Sequence, residues 1–211
     1  MLTQLEIRDS IEKQIKKWCE DYYQPFDRMI LIARHCSWQN DKIMSDWVDN
    51  QDRLQFELGL IPRPDLRKDK RVNVSLPENN REKVCLSCYE PLDKTKFALM
   101  CGHTFCRECW RQHLVARLSA GINECTARCM QEGCNVVVTH SAFLELLDSK
   151  EQEHYWNNLT KSYTSEDRSI RWCSNKRCEC CFKRSEFSSS NTVVCTQCGA
   201  ETCLLCGSES H

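Results

Sequence analysis

The sequence predicts small, metal-stapled α+β modules preceded by an all-α helical bundle. Three observations lead to this fold class. All but Cys19 and Cys36 of the 18 cysteines lie at or after Cys85. Those later cysteines, together with two histidines, recur at spacings typical of zinc ligands. The residues before them show instead the periodic apolar positions of amphipathic helices.

Residues 1–62 are predicted to form three or four helices in a compact bundle. The first helix would bury a face formed by Leu5, Ile11, Ile15, Trp18 and Tyr22. Pro25 suits the start of a second helix, Ser37 can cap a third, and Gly59 stops a short fourth. The side chains of such a bundle either form an adaptor surface for a partner or only pack against one another. The composition favours packing. Cys19 and Cys36 are then small buried side chains.

The apolar pattern lapses in residues 63–83. Pro64 and Pro77 frame a polar stretch that we predict to be a mobile linker. Its basic residues could touch an acidic partner, but interspersed acidic residues favour a solvated tether.

A Cys/His octet organises residues 84–138. It reads Cys85-x2-Cys88, then Cys101-x-His103-x2-Cys106-x2-Cys109, then Cys129-x4-Cys134. One ligand pair interrupts two others, so the eight ligands should interleave around two four-coordinate zinc ions. The first predicted set is Cys85, Cys88, Cys106 and Cys109. The second predicted set is Cys101, His103, Cys129 and Cys134.

The cysteine pattern returns in residues 172–211, after a predicted helical connector over residues 139–171. The third predicted zinc set is Cys173, Cys178, Cys195 and Cys198. Cys203, Cys206 and His211 leave a fourth zinc site one ligand short. A three-ligand zinc with an open position can be catalytic, but a sequence that is cut short explains the missing ligand more simply.

Three later cysteines, Cys125, Cys180 and Cys181, stand outside these sets. Cys125 could replace Cys129, but we prefer Cys129 because its spacing to the next ligand equals the spacing that opens the third set. Cys180 and Cys181 could compete in the site of Cys178. None of the five unassigned cysteines, which include Cys19 and Cys36, is expected to be a catalytic thiol.

Composition favours zinc over disulfides. The N-terminus carries no secretory signal, so we expect a reducing cytoplasmic and/or nuclear environment. No stretch approaches the ~20 apolar residues of a membrane span. The net charge of -1 argues against a dedicated nucleic-acid binder. Modules with so small a core need staples, and structural zinc supplies them.

The succession of these motifs resembles the RING-between-RING (RBR) E3 ubiquitin ligases of the Ariadne branch. The residues that carry the resemblance are Met100–Trp110 (MCGHTFCRECW), Cys129–Cys134 (CMQEGC) and Arg171–Cys173 (RWC). The helical N-terminus is similar to the UBA-like domain of that branch. The resemblance implies a UBA-like domain over residues 1–62, a cross-braced RING1 domain over residues 84–138, and a C-terminally incomplete in-between-RING (IBR) domain over residues 172–211.

The resemblance also implies a mechanism. RING1 of such ligases recruits an E2 enzyme that carries ubiquitin as a thioester. Ubiquitin then passes to a cysteine of a third zinc domain (RING2, or Rcat) and on to a lysine. That domain is absent from this sequence, so we assign no catalytic residue. We expect this chain alone to bind E2~ubiquitin without completing the transfer.

The resemblance places E2 contacts on the zinc loops of the RING. Leu86 matches an apolar contact position, and Tyr89 and Met130 are further candidates. Ser87 departs from members that carry an apolar residue there. Asn135 follows the last ligand, where many simple RING ligases place an arginine that holds the E2 thioester closed. The absence of that arginine fits a ligase that transfers ubiquitin to a cysteine.

The implied partners are an E2 enzyme, ubiquitin and, through a ubiquitin-fold receptor surface, a neddylated cullin-RING complex. Trp38, Met44 and Trp47 are candidates for that surface, although such side chains can equally be core. The alternative function is a non-catalytic zinc scaffold that binds E2, ubiquitin-like or cullin partners.

Overall fold

The computed structural model describes residues 3–61, 84–92, 96–120, 126–167, 170–175, 177–178, 180–183 and 190–210. It divides into two compact units, residues 27–155 and residues 1–26 with 156–211. The predicted linker, Cys125 and His211 lie outside the described residues. No helix within the described ranges is long and apolar enough to cross a bilayer.

Helix α1 spans Gln4–Tyr22. It opens with a capping box in which the Thr3 hydroxyl accepts from the Glu6 N–H and the Glu6 carboxylate accepts from the Thr3 N–H. Its buried face consists of Ile7, Ile11, Ile15 and Trp18. Leu5, which we predicted for this face, is exposed. Ile7 takes its place because the buried residues follow the i, i+4, i+8 spacing.

Helices α2 (Phe26–His35) and α3 (Asn40–Glu57) begin the other unit. Helix α2 starts directly after Pro25, as predicted. Ser37 does not cap α3: it has a φ of 53° and belongs to the turn that ends α2. Gln39 precedes α3 without a side-chain cap. The third and fourth predicted helices both lie within α3, where a kink separates them at Asn50, whose φ of -143° and ψ of 38° are not helical.

Whether residues 1–62 form one UBA-like bundle stays a prediction. Residues 3–22 and 26–57 are helical over most of their length, as the periodicity predicted. The first helix, however, groups with residues 156–211, and α2 and α3 group with the octet region.

The octet region folds around one tryptophan. Strands β1 (Lys96–Ala98) and β2 (Thr104–Cys106) form an antiparallel hairpin that leads into α4 (Arg107–Ser119). Trp110 is fully buried, makes edge-on contacts with Phe97 and Phe105, and donates from Nε1 to the Phe97 carbonyl at 3.1 Å. This small core fixes the hairpin and the first turn of α4, which carry several ligands.

Helices α5 (His140–Leu146) and α6 (Ser149–Glu166) follow the octet. Asp148 and Glu151 form the capping box of α6, in which the carboxylate of each accepts from the backbone N–H of the other at 2.9 Å. Arg111 of α4 pairs with Glu151. The valine run before α5, Val136–Val138, lies outside the named strands. It makes one isolated bridge, from Val137 to Arg128, flanked by backbone hydrogen bonds of 2.8 Å from the Cys129 N–H to the Val136 carbonyl and from the Val138 N–H to the Ala127 carbonyl.

The last described segments form two small hairpins. Strand β3 (Ile170–Trp172) pairs with β4 (Cys181–Lys183), and β5 (Thr192–Val194) pairs with β6 (Glu201–Cys203). Trp172 Nε1 donates to Thr164 Oγ1 at 2.8 Å, which ties β3 to the end of α6. Arg8 of α1 lies over the Trp156 ring at 4.0 Å.

Candidate metal centres

The first predicted ligand set is assembled by three separate elements. Cys85 and Cys88 lie in a turn closed by the Val84–Pro91 bridge. Cys106 ends β2, and Cys109 lies in the first turn of α4. All four ligand atoms lie within 4.8 Å of one another, and the Sγ atoms of Cys88 and Cys106 are 3.9 Å apart.

The second predicted set is assembled from two loops. Cys101 and His103 lie between β1 and β2, and Cys129 and Cys134 lie in the loop that precedes the valine run. His103 Nδ1 is 3.6 Å from Cys129 Sγ. The hairpin therefore supplies ligands to both clusters, which gives the interleaving that the spacing predicted.

The third predicted set is likewise brought together. Cys173 follows β3, Cys178 lies between β3 and β4, and Cys195 and Cys198 lie between β5 and β6. The Sγ atoms of Cys173 and Cys198 are 3.5 Å apart, and those of Cys178 and Cys195 are 3.7 Å apart.

These separations fit a tetrahedral metal. A Zn–S bond of about 2.3 Å in a tetrahedron implies neighbouring sulfurs roughly 3.8 Å apart. The three sulfur–sulfur separations given above run from 3.5 to 3.9 Å. Each cluster supplies four Cys or His side chains, so a four-coordinate ion would keep no open position for water. The geometry suits metals that hold structure rather than metals that activate a substrate.

Backbone amides support the thiolates. The Cys106 N–H donates to Cys85 Sγ, and the Cys109 N–H donates to Cys106 Sγ, each at 3.4 Å. Burial raises the pKa of the Cys85 thiol, but backbone N–H groups of Cys106, Cys88 and Ser87 outweigh it and lower that pKa to about 6. The same balance lowers the pKa of Cys195 to about 6. A thiolate is the form that binds metal.

One local geometry recurs at the three Cys-x2-Cys pairs that lie in turns. The residue after the second cysteine donates its N–H to the carbonyl of the first at 2.8 Å: Tyr89 to Cys85, Gly199 to Cys195, and Gly207 to Cys203. All three donors have a positive φ, of 61°, 74° and 79°. Glycine accepts that conformation without strain, so a glycine after Cys-x2-Cys is the sequence signal for this turn.

The Cys203–Cys206 turn therefore has the shape of a ligand pair. Cys203 is buried and Cys206 is exposed. The structure does not describe His211, so the fourth predicted site stays a prediction.

The described thiols outside the four predicted ligand sets are buried, except Cys19, which is half-buried. Cys36 Sγ donates to Asp46 Oδ2 at 3.5 Å, and burial, followed by this contact, raises its pKa to about 12. Burial raises the pKa of Cys181 to about 11 and also raises that of Cys19. Cys180 is buried beside the third cluster.

Two of the three candidate E2 contacts are open. Leu86 is 41% exposed and Tyr89 is 74% exposed, both on the first ligand turn. Met130 is half-buried in the loop of the second cluster. Asn135 is buried, and its Nδ2 donates to the carbonyls of Phe56 and Ile61 at 3.3 and 3.2 Å.

A junction that the sequence did not reveal surrounds Asn135. On one side it contains Phe56, Glu57, Gly59 and Ile61, and on the other Arg128, Asn135 and Val137. Arg128 donates to the carbonyls of Asn135 and Glu57 at 2.9 and 3.2 Å. The Val137 N–H donates to the Gly59 carbonyl at 3.3 Å. We call this set the Gly59 junction. It fastens the end of α3 to the loop of the second cluster.

Family models match both cysteine-rich regions. The C3HC4 zinc finger (RING finger) matches residues 85–134, which contain both interleaved clusters. The IBR domain, described as a half RING-finger domain, matches residues 153–211. The IBR match begins within α6, earlier than the boundary at residue 172 that we predicted.

Curated relatives cover most or all of this chain. It is 25% identical to the probable E3 ubiquitin-protein ligase ARI10 of Arabidopsis thaliana over 183 residues. The aligned region covers 86% of this chain and 34% of ARI10. It is 25% identical to E3 ubiquitin-protein ligase dbl4 of Schizosaccharomyces pombe, over 98% of this chain and 40% of dbl4. It is 26% identical to E3 ubiquitin-protein ligase arih1 of Xenopus tropicalis, over 100% of this chain and 40% of arih1.

Among solved structures, this chain is similar to one of a pParkin–pUb–UbcH7 complex, with 25% identity and a TM-score of 0.43 over 63% of this chain and 44% of the other. The chain spans only about a third to two fifths of the length of the curated relatives above. Within that span the two domains and the sequence similarity agree, and the chain is a RING- and IBR-containing homologue of the Ariadne-type RING-between-RING E3 ubiquitin-protein ligases.

Proposed function

We propose that this chain is the E2-recruiting part of an RBR E3 ubiquitin ligase, built on zinc. Residues 85–134 bind an E2 that carries ubiquitin, and ubiquitin then passes through a thioester on a cysteine to its target. The observation that carries the proposal is the interleaved pair of clusters with an exposed apolar side chain, Leu86, on the first ligand turn.

Zinc is the metal that suits these ligands best. Sets of four Cys, or of three Cys and one His, are typical of structural zinc, and thiolate ligands disfavour Mg²⁺ and Ca²⁺. Zinc would be held by the three complete clusters. A fourth ion would need Cys203, Cys206, His211 and a further ligand.

The Leu86 side chain should be an anchor for the E2. The turn that carries it is closed by the Tyr89–Cys85 backbone hydrogen bond and by two metal ligands. The backbone is therefore already ordered before the E2 binds, and little conformational entropy is lost on binding. Tyr89, with φ at 61°, projects from the same turn. We therefore place the E2 on this turn and on Met130 of the second loop.

We expect Leu86→Ala to weaken E2 binding at least about fivefold, since truncation of an interface anchor costs more than ~1 kcal/mol. Calorimetric titration of the zinc-loaded chain with a stable E2–ubiquitin conjugate measures the effect. Val194→Ala is the matched control, because Val194 is an exposed apolar side chain in the IBR region. Equal affinities of the two variants would rule out an E2 contact at Leu86.

Asn135 supports transfer through a cysteine. At this position many simple RING ligases place an arginine that reaches the E2-bound ubiquitin. Here the side chain is buried and committed to the Phe56 and Ile61 carbonyls. This RING surface therefore lacks that contact from Asn135, and the E2 thioester stays open to attack by a cysteine.

The acceptor thiol is not among the described cysteines outside the predicted ligands. Ubiquitin transfer needs an accessible thiolate. Cys36, Cys180 and Cys181 are buried, and burial raises the pKa values of Cys36 and Cys181 to about 12 and about 11. Cys19 is half-buried with a raised pKa.

N-ethylmaleimide should therefore label Cys19 well before Cys36, Cys180 or Cys181 in the native, zinc-loaded chain at pH 7. A pKa raised above the pH keeps a thiol protonated, and burial excludes the reagent. Peptide mass spectrometry against time measures the order, and the denatured chain, in which all four should react, is the control. Rapid native labelling of Cys36 or Cys181 would contradict this assignment.

The proposed cullin-linked surface lies on α3 and on the turn before it. Of its three candidate side chains, Trp38 is buried, Trp47 is half-buried and Met44 is exposed. Met44 is thus the candidate that remains open for a ubiquitin-fold partner.

A further inference from the structure

The first ligand turn carries a tyrosine where the same turn elsewhere carries a glycine. In the Cys195–Cys198 and Cys203–Cys206 turns, the residue after the second cysteine is Gly199 or Gly207. The first ligand turn makes the same backbone hydrogen bond of 2.8 Å, at a φ of 61°, with Tyr89. The three turns are therefore an internal comparison, in which the backbone is alike and this side chain differs.

The tyrosine makes the first ligand turn less stable than a glycine would. A left-handed residue that has a Cβ lowers the folding equilibrium constant about five- to thirtyfold, because the Cβ crowds the following carbonyl oxygen. Glycine recovers only part of this factor, since a glycine makes the unfolded chain more flexible. We therefore expect a glycine in place of Tyr89 to raise the folding equilibrium constant about two- to tenfold.

The described part of the chain offers no contact that offsets this strain. The Tyr89 side chain is 74% exposed, and no described residue forms a hydrogen bond or a ring contact with it. Its ring therefore adds little packing to the folded state. Backbone strain that a chain's own contacts do not offset is typical of positions that bind a ligand or a partner.

Tyr89 lies on the same turn as the proposed E2 anchor. Leu86 is three residues earlier and 41% exposed, and the hydrogen bond from the Tyr89 N–H to the Cys85 carbonyl holds the turn between them. A tyrosine ring provides a large contact area and has only two side-chain torsions to fix on binding. Tyrosines are also enriched among the residues that dominate protein interfaces.

We propose that Tyr89 is a second E2 anchor, which this chain retains although it destabilises the first metal turn. Its ring covers an apolar part of the E2 beside the contact of Leu86, and its hydroxyl stays at the wet rim of that contact. The inference rests on the proposed E2 site at Leu86. It adds that a glycine here would give a more stable RING that recruits the E2 less well.

The test compares Tyr89→Gly, Tyr89→Phe and Leu86→Ala with the wild-type chain. The midpoint of urea unfolding at fixed free zinc reports stability, and calorimetric titration reports affinity for a free E2 and for a stable E2–ubiquitin conjugate. We expect Tyr89→Gly to raise the midpoint and to weaken both affinities at least about fivefold. Tyr89→Phe, which keeps the ring and the strain, should bind within about threefold of the wild type.

Tyr23→Gly is the matched control. Tyr23 is also an exposed tyrosine with a positive φ, of 52°, but it ends α1 in the other unit. Tyr23→Gly removes the same ring from the same backbone conformation and should leave both affinities unchanged. If it weakened E2 binding as much as Tyr89→Gly does, the loss would not come from a contact of Tyr89, and the proposal would fail.

Three other results would overturn the role of Tyr89. A lower midpoint in Tyr89→Gly would show that the ring supports the fold. Wild-type affinity in Tyr89→Gly, or an equal loss in Tyr89→Phe, would show that the ring does not bind the E2. A loss confined to the conjugate would place the ring on ubiquitin. Wild-type affinity in Leu86→Ala as well would refute the proposed E2 site itself, whereas a loss in Leu86→Ala alone would refute only this inference.

Discussion

Replacing Cys134 by serine should unfold the RING region and also release the end of α3. Cys134 is a buried member of the second cluster, and a neutral serine hydroxyl is a poor replacement for a thiolate. Structural zinc contributes an apparent ~10–16 kcal/mol of binding free energy, against a total stability of about 5–15 kcal/mol for a typical domain. We therefore expect loss of the second ion to be decisive for this small module.

The effect should spread beyond the metal site through the Gly59 junction. Asn135 is adjacent to Cys134 and donates to the Phe56 and Ile61 carbonyls. Arg128, which lies just before the ligand Cys129, donates to the Glu57 carbonyl. When the loop between these residues loses its metal, the carbonyls at the end of α3 lose their donors. The amides of residues 54–61 should then exchange faster with solvent.

Zinc content and amide hydrogen exchange of the purified chain measure this prediction. Cys19→Ser is the control, because Cys19 is a half-buried thiol of α1 outside the clusters, and it should keep wild-type zinc and wild-type protection. A Cys134→Ser chain that lost one ion yet kept protection at residues 54–61 would show that the junction forms without the metal.

The three complete ligand sets could be grouped from spacing because metal coordination restricts sequence strongly. Ligands must converge within a few ångströms, and the turn between two cysteines two residues apart is one of few that achieves it. The interleaving of the first two sets followed from one pair, Cys101 and His103, interrupting another. The structure places all four members of each of these sets together.

The ends of the helices were harder to predict from the sequence, because they depend on tertiary contacts that the apolar periodicity does not indicate. Ser37 is a good cap by residue type, yet it takes a φ of 53° because Trp38 turns inward and its N–H donates to the Ala33 carbonyl at 2.7 Å. The Gly59 junction joins residues far apart in sequence. The sequence around Asn135 does not indicate its contacts with the Phe56 and Ile61 carbonyls, and only these neighbours in space explain its burial.

Gly59 was recognised as the end of a helix, and the structure adds a second reason for glycine there. Its φ is +63°, and its N–H donates to the Phe56 carbonyl at 3.0 Å, as in a helix that ends in a left-handed residue. A Cβ built on Gly59 would lie 1.9 Å from the Asn135 carbonyl oxygen, which is backbone and cannot rotate away. The close approach therefore excludes every other residue.

Gly59→Ala should destabilise the chain by roughly 2–5 kcal/mol, from about 1–2 kcal/mol for a left-handed alanine and about 1–3 kcal/mol for the clash. The midpoint of urea unfolding at fixed free zinc measures the change. Gly102→Ala is the matched control. Gly102 has a φ of +78° in the same unit, but its added Cβ would meet no atom within 4 Å. That variant should lose only the conformational part.

Gly59→Ala should also leave all the metal ligands in place, because Gly59 contacts the loop of the second cluster through Asn135 and Val137 rather than through a ligand. It thus separates the junction from the metal that supports it, whereas Cys134→Ser removes both. We expect unchanged zinc content together with lost protection at residues 54–61. Equal destabilisation by Gly59→Ala and Gly102→Ala would mean that α3 can move away from the loop at little cost, and the RING would then hold its zinc without holding the helix.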